Sequence, residues 1–155
     1  MNHLAKLLNP HENILLDLDV ASMKRLLEEA AKVLSSVAGV PAQNLFDALF
    51  AREKLGATGL GGGVAIPHAR VQGAIEPCLC FIRTHESIPC EGPKQKEARI
   101  FFIVAIPENT PETYLDILAD VAGLLSTPNA IDALLNAADA AEVATQIQAW
   151  EPKAK

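Results

Sequence analysis

The sequence has little cysteine, no excess of positive charge and no long apolar segment. Its three cysteines are an odd number, which favours reduced thiols over a disulfide framework. The formal net charge of -6 argues against a nucleic-acid-binding protein. The longest strongly apolar run, residues 100–106, is far too short to cross a bilayer, and no signal-peptide-like stretch is evident at the start. We therefore expect a cytoplasmic protein that binds no nucleic acid and inserts into no membrane.

Signatures of nucleotide binding and of serine hydrolysis are also absent. The glycines at 59 to 63 are not followed by the Gly-Lys-Ser/Thr of a Walker A loop, and the run lacks the last glycine of the dinucleotide-binding fingerprint. No Gly-x-Ser-x-Gly elbow occurs. These absences argue against a P-loop nucleotide hydrolase, a dinucleotide-dependent enzyme and a serine hydrolase.

The composition predicts one folded domain. The chain has 155 residues, half of them hydrophobic, which is enough for a core of its own. We expect a single domain over residues 1–155 with its core between about residues 10 and 150. Residues 1–13 are expected to form a partly ordered arm.

Apolar spacing alternates between helical and strand-like patterns. Helical spacing, caps and prolines predict helices over residues 23–37, 41–55 and 111–125, a short helix after Thr127-Pro128, and a last helix opened by Asp139. Short apolar runs predict strands at residues 64–66, 78–82 and 100–106. Interleaved strands and helices indicate an α/β sandwich, with a mixed sheet flanked by helices.

The most informative segment is residues 52–70, with the sequence REKLGATGLGGGVAIPHAR. Five of the nine glycines fall within eight residues here, and successive amides in such a loop can bind an anion. Pro67 stiffens the backbone before His68, and arginines flank the segment at 52 and 70. A neutral imidazole is nucleophilic, and arginine forks match phosphate oxygens. The pattern suits a phosphoryl-handling site, whereas ordinary turns and a hydrogen-bonded structural histidine are the alternatives.

The same segment resembles the active-site segment of the nitrogen-regulatory enzyme IIA proteins. These are relatives of the fructose- and mannitol-type IIA domains of the sugar phosphotransferase system. The opening run from Asn13 to Asp19, followed by Ser22-x-Lys24-Arg25, is also similar to that family. The resemblance implies a central mixed sheet flanked by helices, with His68 at the edge of a shallow depression.

The resemblance also implies a function. His68 would accept a phosphoryl group from an HPr-like carrier that is charged from phosphoenolpyruvate through an enzyme I. Arg52 matches the family's pocket arginine, and Thr58, Gly59 and Gly61 would bind the phosphoryl oxygens. No cofactor and no metal are implied. The phosphorylation state would control partner proteins, including potassium-transport or sensor-kinase components.

Two alternatives to this regulatory function remain open. The chain could pass its phosphoryl group to a sugar-specific IIB protein, or it could be a binding module that keeps the fold without accepting phosphate. One departure from the family pattern bears on the choice. Where many relatives have a histidine in the pattern H-L-x-x-L, this chain has Tyr114. Tyrosine can hydrogen-bond a phosphoryl oxygen but is uncharged at neutral pH, which favours regulation over onward transfer.

The cysteines allow one further interpretation. Cys78, Cys80, His85 and Cys90 could in principle hold zinc, but their spacing matches no usual zinc pattern. Small apolar core residues are the simpler assignment for the thiols.

Overall fold

The structure is a computed structural model of the chain. It describes residues 3–8, 12–55, 59–61, 63–74, 76–90, 97–109 and 111–150, with the backbone alone at residues 3, 5, 59–61 and 111–115. The helices in this part of the chain are α1 (His3–Leu7), α2 (Met23–Ala38), α3 (Ala42–Leu55), α4 (Pro111–Ser126), α5 (Ala130–Asn136) and α6 (Ala140–Ala149). The strands are β1 (Ile14–Leu18), β2 (Gly59–Gly61), β3 (Val64–Ala65), β4 (His68–Val71), β5 (Cys78–Pro89) and β6 (Glu97–Pro107).

The strands form one mixed sheet in the order β1-β5-β6-β3-β2, and β4 also pairs with β6. β1 is parallel to β5, and both β3 and β4 are parallel to β6. The two long strands β5 and β6 are antiparallel, as are β2 and β3. The predicted mixed sheet is confirmed.

Helices cover both faces of this sheet. Along β6, Phe101, Ile103 and Ala105 pack in a cluster with α2 and α3, whereas Phe102 and Val104 pack in a second cluster with α1, α4, α5 and α6. Because side chains alternate along a strand, a strand that is apolar at every position must be covered on both faces. The predicted arrangement of helices around a central sheet is therefore also confirmed.

The helix ends follow the predicted signals in most places. Gly39 ends α2 in the left-handed region at φ 74°, whereas the cap at the start of α2, the side chain of Ser22, was not predicted. Asp139 caps α6 by accepting from the N–H of Glu142 at 2.8 Å. The short helix α5 begins at Ala130, two residues later than Thr127-Pro128 predicted. Thr127 instead donates its hydroxyl to the Gly123 carbonyl at the end of α4.

The segment at residues 1–13, expected to be a partly ordered arm, packs on the core in its described residues. α1 lies there, and Leu4 and Leu8 are buried in the cluster with α4 and α6. The buried amide of Asn13 donates to the carbonyls of Leu7 and Leu79, at 2.6 and 2.9 Å. Burial of apolar side chains and these two hydrogen bonds tie the arm to β5.

The sequence patterns missed three strands and underestimated the lengths of two others, β5 and β6. β1, β2 and β4 are five residues or fewer, too short for a clear period-two pattern, while β5 continues seven residues beyond the predicted end at Ile82.

Within the described residues, no single helix is long and apolar enough to span a membrane; only Asp116–Ser126 and Ala130–Asn136 taken together, bent by 88°, pass that test.

Candidate functional site

His68 lies directly after the short gap between β3 and β4, which both run beside β6. β3 and β4 both pair with β6 in parallel, and the register is the same on either side of the gap. His68 opens β4 and lies opposite Val104. Pro67 has no N–H to donate, yet its carbonyl accepts from the N–H of Val104 at 2.9 Å. The histidine is therefore held on a well-anchored segment of the sheet.

The carbonyl of Ile66 holds the imidazole ring of His68. Because backbone groups alternate along a strand and the Pro67 carbonyl points at β6, the Ile66 carbonyl points away from β6. In the described part of the sheet, β2 pairs with Val64 and Ala65 and not with Ile66. His68 Nδ1 lies 2.6 Å from the Ile66 oxygen. A carbonyl only accepts, so Nδ1 carries the proton and neutral His68 has its lone pair on Nε2.

The pKa of His68 lies below its ordinary value of 6.5. Burial is the largest cause, because removing water disfavours the charged imidazolium. The hydrogen bond to Ile66 acts in the opposite direction, and the positive charge of Arg52 lowers the pKa again. At neutral pH the ring is therefore mostly uncharged, which is the nucleophilic form.

Arg52 lies in the last turn of α3, as the sequence predicted, and is half-buried. Its charge is close enough to lower the pKa of His68. A cation is also favourable at the carboxyl end of a helix, so Arg52 stabilises α3 as well. The helix thus places a permanent positive charge near the imidazole.

The glycine-rich segment is only partly a loop. Gly59 and Gly61 lie in β2, which pairs with β3 at the edge of the sheet, so the expectation of a loop throughout is wrong there. Glycine loses more backbone entropy in a strand than other residues do, and here pairing with Ala65 and Val64 offsets that cost. Gly63 has φ +88°, the left-handed conformation that glycine favours. Thr58 lies outside the described residues, so its expected role stays a prediction, as do those of Gly59 and Gly61.

Glu53 is buried, although a charged side chain in the last turn of a helix is ordinarily solvated. Only 1% of its surface is exposed, although it follows Arg52 directly. The reason is visible in the spacing: Leu45, Leu49 and Glu53 are four residues apart and share the buried side of α3. Burial is the largest cause of the raised pKa of the nearby Cys90 thiol, and the Glu53 carboxylate raises that pKa further. Helical spacing alone could have revealed this burial.

Arg70 is the second flanking arginine. It lies two residues after His68 on β4 and therefore on the same strand face. Its side chain is exposed, and Nη1 donates to the Glu108 carbonyl at 3.1 Å. The guanidinium is thus held at the carboxyl end of β6.

A protein-family model matches most of this chain. The model, described as the phosphoenolpyruvate-dependent sugar phosphotransferase system EIIA 2, covers residues 7–150. The chain belongs to the EIIA 2 family. The match spans every strand and helix that carries the site, including the gap before His68.

Relatives within the EIIA 2 family include nitrogen regulatory proteins. That of Pseudomonas aeruginosa is 32% identical over 138 residues, which cover 88% of this chain and 89% of that protein. The crystal structure of nitrogen regulatory protein IIA-Ntr from Neisseria meningitidis has a TM-score of 0.86 and 38% identity, and covers 93% of this chain and 98% of that one. The predicted resemblance to nitrogen-regulatory enzyme IIA proteins is confirmed.

A mannitol-type structure has the same fold. In a complex of enzyme IIA mannitol with phosphorylated enzyme IIB mannitol from Escherichia coli, the matching chain has a TM-score of 0.76 and 21% identity, and covers 88% of this chain and 94% of that one. At this identity the likeness shows the fold alone. The EIIA 2 fold is thus shared between the nitrogen-regulatory and mannitol-type proteins.

Other residues singled out from the sequence fall into two groups. Tyr114 lies in the first turn of α4, where only the backbone is described, so its contact with the site stays a prediction. Cys78, Cys80 and Cys90 are free, buried thiols, whereas His85 is exposed. Among the residues that the structure describes, no three His, Cys, Asp or Glu side chains are grouped to hold a metal.

The group that orients His68 was not identified from the sequence. It is a backbone carbonyl, that of Ile66, and backbone groups leave no residue-type signature. The indirect signal is Pro67, because a proline in a strand interrupts the ladder and marks a place where neighbouring backbone groups point elsewhere.

Proposed function

We propose that the chain is a phosphohistidine-accepting regulatory protein of the nitrogen-related phosphotransferase system, acting in the cytoplasm. His68 accepts a phosphoryl group from an HPr-like carrier, and its phosphorylation state controls partner proteins. The observation that carries the proposal is the hydrogen bond from His68 Nδ1 to the Ile66 carbonyl, which leaves the lone pair on Nε2. Membership of the EIIA 2 family supports the same chemistry.

The transfer step follows from that tautomer. His68 Nε2 attacks the phosphorus of the carrier's phosphohistidine, and a new N–P bond forms as the old one breaks. The carrier imidazole leaves with the electron pair of the broken bond. The proton stays on His68 Nδ1, and its hydrogen bond to the Ile66 carbonyl stabilises the ring as positive charge develops on it. No general base is needed, because Nε2 already lacks a proton.

The surroundings of His68 supply a positive charge and hydrogen-bond donors for the phosphoryl group. Arg52 faces the developing negative charge on the phosphoryl oxygens, where a guanidinium fork is well suited. The amides of Gly59 and Gly61, the hydroxyl of Thr58 and the hydroxyl of Tyr114 are proposed as further donors. Such transfer depends on positioning and charge stabilisation more than on covalent assistance.

Regulation follows from the charge change. Phosphorylation replaces a half-buried, mostly neutral imidazole with a group of nearly two negative charges. A partner that packs against the neutral surface would be released, and one with basic side chains would be favoured. Potassium-transport or sensor-kinase components are the proposed partners, as the resemblance to nitrogen-regulatory proteins implies.

A second function is favoured by the mannitol-type fold. The chain would then pass the phosphoryl group to a IIB protein, as the pairing of enzyme IIA mannitol with phosphorylated enzyme IIB mannitol suggests. Tyr114, in place of the histidine seen in many relatives, argues for the regulatory function.

The test is intact-protein mass spectrometry after incubation with phosphoenolpyruvate, enzyme I and an HPr-like carrier. We expect one acid-labile phosphoryl group, absent in His68→Ala and retained in His85→Ala, whose histidine is exposed on β5. Nitrogen-15 NMR of the product should place the phosphoryl group on Nε2. No gain in mass under conditions that charge the carrier would reject the proposal in favour of a non-phosphorylated binding module. Transfer onward to an added IIB protein would support the second function.

A further inference from the structure

A surface cavity of about 620 Å³ lies beyond the carboxyl ends of β4 and β6. These strands are parallel neighbours, and the crevice outside the carboxyl ends of parallel strands is where α/β sheets commonly bind ligands. The cavity volume is within the range of small-molecule sites, roughly 300–1,000 Å³. Its polar lining comes from three segments, namely Asn44 and Asp47 of α3, Arg70 and Gln72 at the end of β4, and Glu108 after β6.

The charges in this lining are of both signs. Arg70 is fixed at the rim by its hydrogen bond to the Glu108 carbonyl. Asp47 is oriented by the side chain of Gln43, which donates to Oδ1 at 2.7 Å. The lining therefore includes one guanidinium on β4 and two carboxylate residues, Asp47 on α3 and Glu108 in the turn after β6.

This combination restricts the class of ligand. A simple anion such as phosphate would face two carboxylates, and a simple cation would face Arg70. A molecule that carries one charge of each sign matches both, because each of its ends meets an opposite charge. The amides of Asn44 and Gln72 add donors and acceptors, and Val71 adds an apolar wall.

We propose that this cavity binds a small zwitterion of the free α-amino acid class, with its carboxylate toward Arg70 and its ammonium toward Asp47 and Glu108. The lining includes neither His68 nor Arg52, although Arg70 lies two residues after His68 on β4. Binding requires no carrier and no phosphorylation.

The experiment is an NMR titration of the unphosphorylated full chain with each proteinogenic L-amino acid, up to about 10 mM to detect weak binding. We expect at least one to shift the backbone amides of Ala48, Val71 and Gln72. Its analogue without the amino group and its analogue without the carboxyl group should each bind about tenfold more weakly or worse, since each loses a charge-assisted contact.

Variants test which side chains are responsible. Arg70→Gln and Asp47→Asn should each weaken the binding about tenfold or more, whereas Lys32→Gln, on an exposed position of α2, should leave it unchanged. The NMR spectra of the variants report whether each one is folded. His68→Ala should bind the amino acid normally although it cannot be phosphorylated, so this proposal and the proposed function fail independently.

Three results would overturn the proposal. The first is that no amino acid shifts these amides. The second is that an amino acid binds equally well to Arg70→Gln and Asp47→Asn. The third is that only a partner protein shifts them, in which case the cavity is part of a protein-docking surface.

Discussion

His68 illustrates how a backbone group sets side-chain chemistry at the scale of one residue. The Ile66 carbonyl selects the tautomer, while burial and Arg52 keep the ring uncharged at neutral pH. Three contributions, the Ile66 carbonyl, burial and Arg52, thus act on one imidazole. Ile66 has no reactive side chain, and Arg52 is distant from His68 in sequence. Each contribution can be tested separately.

The first prediction concerns pH. Because the pKa of His68 is lower in the folded protein than its ordinary value of 6.5, phosphoryl acceptance should be independent of pH near neutrality and fall only at lower pH. As pH falls below about 6.5, the unfolded chain takes up the proton first, so folding stability should also decrease until the folded pKa is passed. Urea unfolding from about pH 5 to 8 measures this, and His68→Gln should lack that part of the pH dependence. An NMR titration of His68 with a midpoint above 6.5 would contradict the prediction.

The second prediction concerns Arg52. In Arg52→Met the pKa of His68 should rise, because a repelling positive charge is removed. The rate of phosphoryl acceptance should fall about tenfold to hundredfold, since the guanidinium no longer neutralises the phosphoryl oxygens. NMR titration and a mass-spectrometric time course measure the two effects.

The matched control for Arg52 is Lys54→Met in the same helical turn. The Lys54 ammonium lies 4.5 Å from the centroid of the Phe50 ring, and no effect of its charge on His68 is expected. If both variants moved the pKa of His68 equally, a general loss of positive charge would explain the result and a specific role of Arg52 would be rejected.

At the scale of secondary-structure elements, Arg83 joins β1, β5 and α5. Its Nη1 donates to the carbonyls of Leu134, Leu135 and Ala137 at the end of α5, at 2.8 to 3.2 Å. Its Nε and Nη2 donate to the two carboxylate oxygens of Asp17, each at 3.1 Å. Asp17 bulges out of β1 at φ 56°, a conformation that is unusual for a residue other than glycine. A buried arginine thus serves as the cap of a helix and the anchor of an edge strand.

Arg83→Met should therefore destabilise the protein by about 2–4 kcal/mol, because several charge-assisted hydrogen bonds are lost and buried carbonyls are left without a donor. Arg83→Lys should be intermediate, since an ammonium cannot reproduce the fork. Arg25→Met is the control: its pair with Glu28 is exposed, and its loss should cost about 0.5 kcal/mol or less. Urea unfolding gives all three values, and an Arg83→Met variant as stable as the parent would refute this assignment.

The elements also show what local patterns can reveal. Periodicity predicted α2, α3 and α6 well, and the stop at Gly39 and the cap at Asp139 act within one helical turn. β1 and β4 escaped detection because each is short and depends on pairing with a long neighbour. The same limit applies to the site: His68 stands out from its glycine- and proline-rich surroundings, whereas the Ile66 carbonyl does not.

At the scale of the whole molecule, all three cysteines lie in the core cluster between the sheet and the helices α2 and α3. Burial raises the pKa of Cys78 to about 12 and that of Cys90 to about 11, and it also raises the pKa of Cys80. Since the thiolate is the reactive species, the thiols should react only when this cluster opens.

We therefore expect the native protein to resist a thiol reagent such as Ellman's reagent at about pH 8, and all three thiols to react in about 6 M guanidinium. Ser36→Cys, at an exposed position of α2, should react rapidly and serves as the control. Rapid modification of any native cysteine in the parent would show that this side of the sheet opens locally, contrary to the burial seen here.

The sequence by itself determined the segments whose information is local: the periodic helices, the apolar parts of β5 and β6, and the glycine–proline segment that contains His68. Tertiary structure decided the rest. Only the folded sheet brings Arg52 near His68 and places Arg70 with Asp47 at the ends of β4 and β6. The physical reason is that these contacts join residues far apart in the chain, and their energies depend on burial and pairing that no local pattern contains.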